Sequence, residues 1–195
     1  MNLLKRPRTG ERTNRTALVR AAQAGDERAF RALVGEVQER LWQVARRLCG
    51  DDDRAADLVQ ESLIRAFRAL PRLREPERFM PWLLRILNHL ATDMLGGRQA
   101  DSLEELAESG FEPLADASRS PEALAEAAGL GEVIDRALGR LPMAYRQPLV
   151  LRHVLDLSHD DMAQILDLPV GTVKTRLFRG RELLREQLLK EGIRP

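Results

Sequence analysis

The chain has 195 residues, of which 44% are hydrophobic, 31% charged and only 4% aromatic. That composition is typical of a soluble, helix-rich protein and argues against a fibrous or disordered one. No apolar run reaches the roughly 20 residues that cross a bilayer, and no apolar stretch of the signal-peptide kind follows the N-terminal charges. We therefore expect a cytoplasmic protein of one or two compact domains. One cysteine and three histidines, without the spacing of zinc ligands, predict no metal centre and no cofactor.

The net charge of +1 hides an uneven distribution of charge along the chain. Residues 1–16 have a balance of +4 and 17–100 one of +2, whereas 101–135 have −9 and 136–195 return to +4. The acidic stretch is also rich in serine, glycine and proline, and its apolar residues lack a period. We interpret 101–128 as an acidic flexible linker, either a solvated spacer or a mimic of nucleic acid, and 1–16 as a disordered basic extension.

The first block, residues 17–100, shows apolar residues at helical spacing and no pattern typical of a strand. Asp26 is placed to cap one long amphipathic helix, and Gly50 is placed to end it. A second helix then runs to Pro71, and a third begins near Pro81. The block is therefore predicted to be a small helical bundle.

Three acceptor-bearing residues of the second helix, Asp57, Gln60 and Glu61, are spaced i, i+3 and i+4. This spacing places them on one exposed face, where they can dock against arginines of a partner protein. The alternative interpretation is an ordinary solvated helix face.

The third helix interleaves aromatic and basic residues around Trp82, Arg85 and Asn88. A tryptophan can stack on an unpaired base, and the carboxamide of Asn88 has both a donor and an acceptor for a base edge. The alternative is that Trp82 is simply a core residue.

The second block, residues 129–190, has the element order of a helix-turn-helix motif, a short helix and a longer one joined by a tight turn. A preceding helix is expected to begin between Tyr145 and Pro148, because proline is tolerated only in the first turn. Residues 158–161 resemble a capping box that opens the short helix, and the longer helix starts near Val170. The fold class is therefore all-α, with two small helical domains joined by the acidic linker and a short tail at 191–195.

The longest helix of the second block carries polar and basic residues near its N-terminal end. They are Thr172, Lys174, Thr175, Arg176 and Arg179. Arginine and lysine there can neutralise phosphates or bind guanine, and threonine can reach a phosphate or a thymine methyl group. The alternative is a solvated basic helix. Gly180 lies inside the same helix, where glycine costs about 1 kcal/mol relative to alanine, so we expect it to allow close packing of a neighbouring helix.

The two blocks together resemble a sigma-70 family RNA polymerase sigma factor of the compact extracytoplasmic function (ECF) group. The resemblance covers about residues 17–190 and rests on three motifs in order: DLVQESLIRAFR at 57–68, WLLRILN at 82–88 and LPVGTVKTRL at 168–177. The large N-terminal region and the middle domain of primary sigma factors have no room in this chain, which is why the resemblance is to the compact group.

The resemblance implies a role for each predicted surface of the first block. The helix that bears Asp57, Gln60 and Glu61 would bind the clamp coiled coil of the beta-prime subunit of core RNA polymerase. The third helix, with the loop before it, would help to open the minus-10 promoter element and capture a flipped base. The residues assigned to the minus-10 element are Arg74, Arg78, Trp82, Arg85 and Asn88.

The resemblance also implies a role for the second block and a set of partners. The second block would read the minus-35 element as duplex DNA and rest on the flap of the beta subunit, and the linker would thread the polymerase channels. The expected partners are core RNA polymerase, promoter DNA in duplex and single-stranded form, and an anti-sigma protein. The chain would not insert into a membrane and would not be an enzyme.

Two other classes of protein stay open at this point. A stand-alone helix-turn-helix transcriptional regulator with a helical sensor domain would bind an operator without polymerase. A helical adaptor, or a small enzyme acting at Cys49, would need a depressed thiol pKa and would not depend on Lys174 or Arg176.

Overall fold

The computed structural model describes residues 9–95 and 130–193, and every regular element in those two ranges is helical. The first range contains the helices α1 (Thr9–Gln23), α2 (Glu27–Cys49), α3 (Asp52–Ala69) and α4 (Phe79–Leu95). Two short 3-10 turns, Leu70–Arg72 and Pro76–Arg78, connect α3 to α4. The second range contains α5 (Leu130–Gly139), α6 (Met143–Leu155), α7 (His159–Leu166) and α8 (Val170–Lys190). The predicted all-α architecture is confirmed, and the proposed linker, 101–128, lies outside the described residues.

The local signals that delimit α2 and α3 act as predicted. Asp26 Oδ1 accepts hydrogen bonds from the backbone N–H groups of Arg28 at 2.8 Å and Ala29 at 3.2 Å. Gly50 ends α2 in the left-handed region at φ 68°, a conformation that glycine adopts without steric cost. Asp51 then caps α3 by accepting from Arg54 N at 2.8 Å. Each cap satisfies backbone groups that the helix itself leaves unpaired, which is worth about 1 kcal/mol.

The core of the first block is an aliphatic stripe on α2 packed against α3 and α4. The stripe on α2 consists of Leu33, Val37, Leu41, Val44 and Leu48, all at 0% exposure. Leu58 of α3 and Leu83 of α4 are equally buried and face it. Complete burial of a side chain of this size contributes about 1.5–3 kcal/mol, so this stripe positions the outer faces of α3 and α4.

Helix α1 begins at Thr9, so residues 9–16 are helical, whereas the sequence predicted a disordered extension over 1–16. Val19 is fully buried in the core, and Arg15, at 8% exposure, donates from Nε to Glu36 Oε2 on α2 at 3.1 Å. The prediction failed because a charge-rich stretch without a cap carries no local helix signal, whereas packing against α2 supplies one. Residues 1–8 lie outside the described part of the chain.

Helix α6 begins earlier than predicted and carries Pro148 in its interior. Pro142 holds an extended N-cap conformation, and its carbonyl accepts from the N–H groups of Tyr145 and Arg146, both at 3.0 Å. The helix is therefore under way before Pro148, which costs it one backbone hydrogen bond. Pro148 lies within a run of six buried residues, 146–151, and this tertiary burial outweighs the local preference.

The helix-turn-helix motif consists of α7, the turn 167–169 and α8. The predicted capping box is present: Ser158 Oγ accepts from Asp161 N at 3.1 Å, and Asp161 Oδ2 accepts from Ser158 N at 3.4 Å. Asp167 ends α7 in the left-handed region at φ 58°. A Cβ at Gly180 would lie 3.0 Å from Leu149 Cδ1, which confirms the expected close packing of α8 on α6.

The two helical blocks pack against each other and share one continuous apolar core. Helix α2 contacts α5 and α6, and α4 contacts α6 and α7. Arg146 of α6 is 5% exposed and donates from Nη1 to Leu48 O at 2.7 Å and from Nη2 to Leu141 O at 2.8 Å. Its charge therefore lies against carbonyls at the C-terminal ends of α2 and α5, where a helix dipole favours a cation. In neither range does a helix combine the length and the apolar character needed to cross a membrane.

Candidate nucleic-acid interface

The acceptor-bearing face of α3 lies on the surface. Asp57 and Gln60 are exposed and Glu61 is partly exposed, whereas Leu58 and Ser62 on the opposite side are buried. Glu61 Oε1 accepts from Arg65 Nε at 2.7 Å, an i,i+4 pair between partly exposed side chains. Such pairs are weak and exchange readily, so the three residues can accept hydrogen bonds from an arginine-rich partner.

Two apolar residues that were not assigned to a functional surface extend this face of α3. Ile64 is 37% exposed and Phe67 is 52% exposed. The ring of Phe67 meets the edge of Phe30 on α2 at a centroid distance of 4.9 Å. Ile64 and Phe67 follow Asp57 at i+7 and i+10, and this spacing was the signal in the sequence that could have placed them on the same helix face. Exposed aromatic and aliphatic side chains beside polar ones are typical of a protein-docking surface.

Trp82 lies at the edge of the core. Its position is intermediate between that of a fully buried core residue and that of an exposed residue that stacks on a base. Its ring is partly buried and lies 5.9 Å from the ring of Phe79, which is 2% exposed. One side of the indole is thus held by the core while the residue keeps accessible surface. A tryptophan held in this way has little rotamer entropy to lose when it stacks on a base.

Asn88 is not presented to solvent in this structure. It is 2% exposed, and its Nδ2 donates to Leu84 O of the same helix at 2.9 Å. Its backbone carbonyl accepts from Gln147 Nε2 of α6 at 2.8 Å, which places the second block directly against it. The proposed base-reading group therefore lies inside the interface between the two blocks.

The arginines assigned to the minus-10 element are exposed, and two of them contact the helix-turn-helix. Arg85 Nη2 donates to Asp167 Oδ2, in the turn after α7, at 2.7 Å. Arg78 Nη1 donates to Gln164 Oε1 of α7 at 3.3 Å. Arg74 is exposed in the loop before α4. The structure thus gathers Arg78, Arg85 and Asn88 on one side of α4, beside the second block.

The first turns of α8 present a mixed polar and basic face. Lys174 and Thr175 are exposed, whereas Thr172 and Arg179 are partly buried. Thr175 Oγ1 donates to Gly171 O at 3.1 Å, a bond within the helix that a phosphate oxygen can replace. The apolar residues predicted for the inner face are buried: Val173, Leu177 and Leu184.

Arg176 is a partly buried arginine among the basic residues proposed for DNA contact. Its side chain is partly buried, and this burial lowers the pKa of its guanidinium, an effect that the nearby Tyr145 partly opposes. The group nevertheless stays charged, because an arginine begins from a very high pKa.

Cys49 lies beside the buried guanidinium of Arg146. Burial raises the pKa of the Cys49 thiol from 9.0 to about 11, although Arg146 and Arg54 act in the opposite direction. A nucleophilic cysteine requires a depressed pKa, so this environment contradicts the alternative of an enzyme acting at Cys49.

The described fold and its basic helix define a class: a helix-turn-helix DNA-binding protein with a helical block in front. Comparison with known protein families finds a matching family model for each of the two blocks. Residues 33–101 match the family model for sigma-70 region 2, and residues 131–184 match that for sigma-70, region 4. The ECF RNA polymerase sigma factor SigW of Bacillus subtilis is 32% identical over 176 residues, which cover 87% of this chain and 94% of that protein. The chain belongs to the sigma-70 family of RNA polymerase sigma factors, in its ECF group.

Solved structures of similar fold span both blocks. CnrH, solved in complex with the cytosolic domain of CnrY, has a TM-score of 0.65 and 26% identity, covering 92% of this chain and 99% of CnrH. The sigma factor RpoE from Bartonella quintana, solved in complex with the anti-sigma factor NepR, has a TM-score of 0.62 and 24% identity. That match covers 82% of this chain and 96% of RpoE.

Proposed function

We propose that this chain is an alternative sigma factor that binds core RNA polymerase, directs it to promoters with minus-35 and minus-10 elements and promotes DNA melting there. The observation that carries the proposal is the presence of both sigma-70 regions in one chain, each coinciding with one helical block. Members of this family regulate transcription rather than catalyse a reaction. We infer that the chain acts through binding alone, beside polymerase in the cytoplasm.

The polymerase-docking face is assigned to α3. Asp57, Gln60 and Glu61 would accept from basic residues of the beta-prime clamp coiled coil, and the exposed Phe67 would supply the apolar centre of the contact. A surface that joins carboxylates to an exposed aromatic residue combines orientation by charge with affinity from apolar burial. The flap of the beta subunit is the proposed contact of the second block.

The minus-10 element is assigned to α4 and the loop before it. Trp82 would support an unstacked base, Asn88 would read its edge, and the arginines at positions 74, 78 and 85 would neutralise the strand. The partly exposed Trp82 beside the buried Phe79 supports this assignment. Burial of Asn88 means that this face must be uncovered before it can act.

The minus-35 element is assigned to the first turns of α8. Lys174 and Thr175 are exposed there, and Arg176 is partly buried. Duplex DNA admits a helix in its major groove with the N-terminal residues toward the bases, which is the end that carries these side chains. The contacts also include Thr172 and Arg179, as phosphate or base partners.

Two small DNA-binding blocks joined in one chain bind their two DNA elements more tightly together than separately, once polymerase fixes the distance between them. We propose that the acidic segment 101–128 provides this connection by passing through the polymerase channels. An anti-sigma protein is a further proposed partner: CnrH, the structural relative with 26% identity, was solved bound to a domain of another protein.

The proposal is tested by run-off transcription on a library of genomic fragments, with core RNA polymerase that lacks any sigma subunit. The purified chain is expected to produce discrete start sites that share two spaced upstream elements. Binding to DNA without polymerase-dependent start sites would instead favour a stand-alone regulator. That alternative is not favoured, because the first block matches sigma-70 region 2.

A further inference from the structure

The loop between α3 and α4, residues 70–78, carries two of the arginines proposed to contact the minus-10 element, Arg74 and Arg78. It consists of the 3-10 turns Leu70–Arg72 and Pro76–Arg78 and the three residues between them. Neither turn has a side-chain hydrogen bond at its N-cap, and each contains a proline, which has no N–H to donate. A loop with so few bonds of its own needs contacts from elsewhere in the chain to hold one conformation.

Gln23, the last residue of α1, supplies such a contact. Its Nε2 donates to Leu70 O at 3.0 Å and to Leu73 O at 2.7 Å, and both hydrogen bonds are partly buried. The two carbonyls lie at the start and just past the end of the first 3-10 turn. A carboxamide has two N–H donors, and here both are used by the same turn. Gln23 therefore spans this turn from outside and fixes the direction in which the chain leaves it.

The position of Gln23 is itself fixed by the packing of α1. Val19, one turn earlier, is completely buried in the core, and Arg15 Nε donates to Glu36 Oε2 on α2 at 3.1 Å. After Gln23 the chain turns at Gly25, with φ 96°, and enters the cap of α2. Helix α1 also contacts both 3-10 turns of the loop. A donor anchored on both sides imposes its geometry on the loop instead of following it.

The far end of the loop is anchored by Phe79, the first residue of α4, which is 2% exposed. The residues between Leu73 and Phe79 include Arg74, which is exposed. The ion pair between Glu75 and Arg78 in this stretch joins side chains that are 55% and 56% exposed, so it adds little stability. Arg74 directly follows the carbonyl of Leu73 that Gln23 holds. A displacement of that carbonyl therefore moves the arginine.

We propose that Gln23 is a positioning residue for the minus-10 element: its carboxamide holds the loop 70–78 in the conformation that presents Arg74 to an unpaired base beside Trp82. The proposal rests on the proposed function and adds a residue to it that touches no DNA and acts through the loop. Gln23 lies before residues 33–101, the stretch that matches sigma-70 region 2. The choice of base thus depends on α1, a helix outside that stretch.

A positioning role and a purely structural role of Gln23 have different consequences. A bond that only stabilised the fold would, when removed, lower the free energy of unfolding and reduce transcription from every promoter alike. A bond that positions the loop changes the preference among bases, because a displaced donor loses the base that its geometry fits and not the others. The ratio between the preferred base and the next one is therefore the quantity to measure.

Three substitutions at position 23 vary the donor and keep a long side chain. Gln23→Met removes both donors at similar length and helix propensity. Gln23→Glu keeps the shape but places carboxylate oxygens, which only accept, against two carbonyl oxygens. Gln23→Lys restores donors through its ammonium group and is the rescue variant. The matched controls are Gln38→Met and Gln38→Lys, the same changes at an exposed position of α2, and the second accounts for the added charge.

The experiment is transcription by core polymerase from a promoter library randomised over the minus-10 element. We expect Gln23→Met to reduce the preference for the favoured base about fivefold at one position and Gln23→Glu to reduce it more than about tenfold. Gln23→Lys should return to within about twofold of wild type, and both Gln38 variants should match wild type. Unchanged profiles in Gln23→Met and Gln23→Glu would overturn the proposal. An equal loss from all sequences, or a shifted profile that Gln23→Lys does not restore, would overturn it as well.

Amide hydrogen exchange in the free chain tests the same contact without polymerase. The N–H groups of Leu73 and Arg78 donate to Leu70 O and Glu75 O within the loop, so their exchange, followed by NMR, reports how well the loop is held. We expect both amides to exchange about fivefold faster in Gln23→Met and at the wild-type rate in Gln38→Met. Equal rates in the two variants would overturn the proposal. If the wild-type chain produced no start sites, the proposed function would fail, while the exchange rates would still show whether Gln23 holds the loop.

Discussion

The two helices proposed to read DNA differ in how their reading faces are held. The N-terminal turns of α8 present Lys174 and Thr175 to solvent, and their inner side is fixed by buried aliphatic residues. The reading face of α4 is instead covered by the second block, with Asn88 at 2% exposure. The proposed reading face of α8 is thus exposed in this structure, whereas that of α4 is covered.

This difference fits what each helix is proposed to bind. A duplex offers phosphates and base edges that solvated charges can contact without rearrangement. A flipped base needs an apolar, partly closed site, such as the one proposed beside Trp82 and Phe79. In the structure the second block lies against this part of α4, where Gln147 Nε2 donates to Asn88 O.

The largest effect is expected from a variant that prevents binding to core polymerase, because the proposed functions of α4 and α8 both depend on that binding. Replacement of Asp57 and Glu61 by arginine reverses two charges on the docking face of α3, so we expect the affinity for core polymerase to fall by more than about 100-fold. Binding is measured by fluorescence anisotropy with labelled protein. Glu27→Arg with Glu39→Arg, the same number of charge reversals at exposed positions of α2, serves as the control. Undiminished affinity in the α3 variant would place the docking face elsewhere.

The next effect is confined to α8. Arg176→Ala is expected to weaken transcription from promoters that depend on the minus-35 element by about 1–3 kcal/mol, because it removes the guanidinium donors from the face proposed to enter the groove. Promoters that rely on the minus-10 element alone should change little. Arg185→Ala, an exposed arginine further along the same helix, is the control. Equal losses from both variants would indicate that α8 contributes only general positive charge.

A structural feature could be predicted from the sequence where its signal lies within a few neighbouring residues. The Asp26 cap, the Gly50 stop and the capping box of Ser158 and Asp161 are contained within a few residues, and the structure has all of them. The order of helices in the second block follows from the same kind of signal. The apolar inner face of α8 also follows, since its 3.6-residue period is visible in the sequence.

The features that were missed depend on contacts between distant parts of the chain. Helix α1 is held by Val19 in the core, and Pro148 lies inside α6 because its surroundings are buried. The packing of the two blocks against each other depends on Arg146 and Gln147, whose partners lie 98 and 59 residues away. No local pattern distinguishes a buried arginine that binds carbonyls from a solvated one. The covered state of Asn88 was therefore beyond prediction from its helix alone.

A smaller effect tests whether Asn88 reads a base once α4 is uncovered. Asn88→Ala is expected to change the preference for one base of the minus-10 element by about 1 kcal/mol, because the carboxamide donor and acceptor are lost together. The measurement is transcription from a promoter library randomised over that element, in the presence of core polymerase. His89→Ala, an exposed neighbour on the same helix, is the control. Identical preference profiles for Asn88→Ala and wild type would remove Asn88 from this role.

The smallest expected effect is a change in the free energy of unfolding caused by a substitution at Gly180. This residue lies on the side of α8 that packs against α6. A Cβ at Gly180 would lie 3.0 Å from Leu149 Cδ1 and 3.2 Å from Tyr145 O, and the Leu149 side chain is completely buried. Gly180→Ala therefore gains about 1 kcal/mol of helix propensity but loses more to overpacking, with a net destabilisation of about 1 kcal/mol.

The matched control for this change is Gly171→Ala, on the same helix, where nothing lies within 4 Å of an added Cβ. There the propensity gain is unopposed, so we expect stabilisation of up to about 1 kcal/mol. Urea unfolding followed by circular dichroism compares the two variants. If Gly180→Ala were as stable as Gly171→Ala, the side chain of Leu149 would have shifted to accommodate the added methyl group, and close packing would not be the reason for glycine at this position.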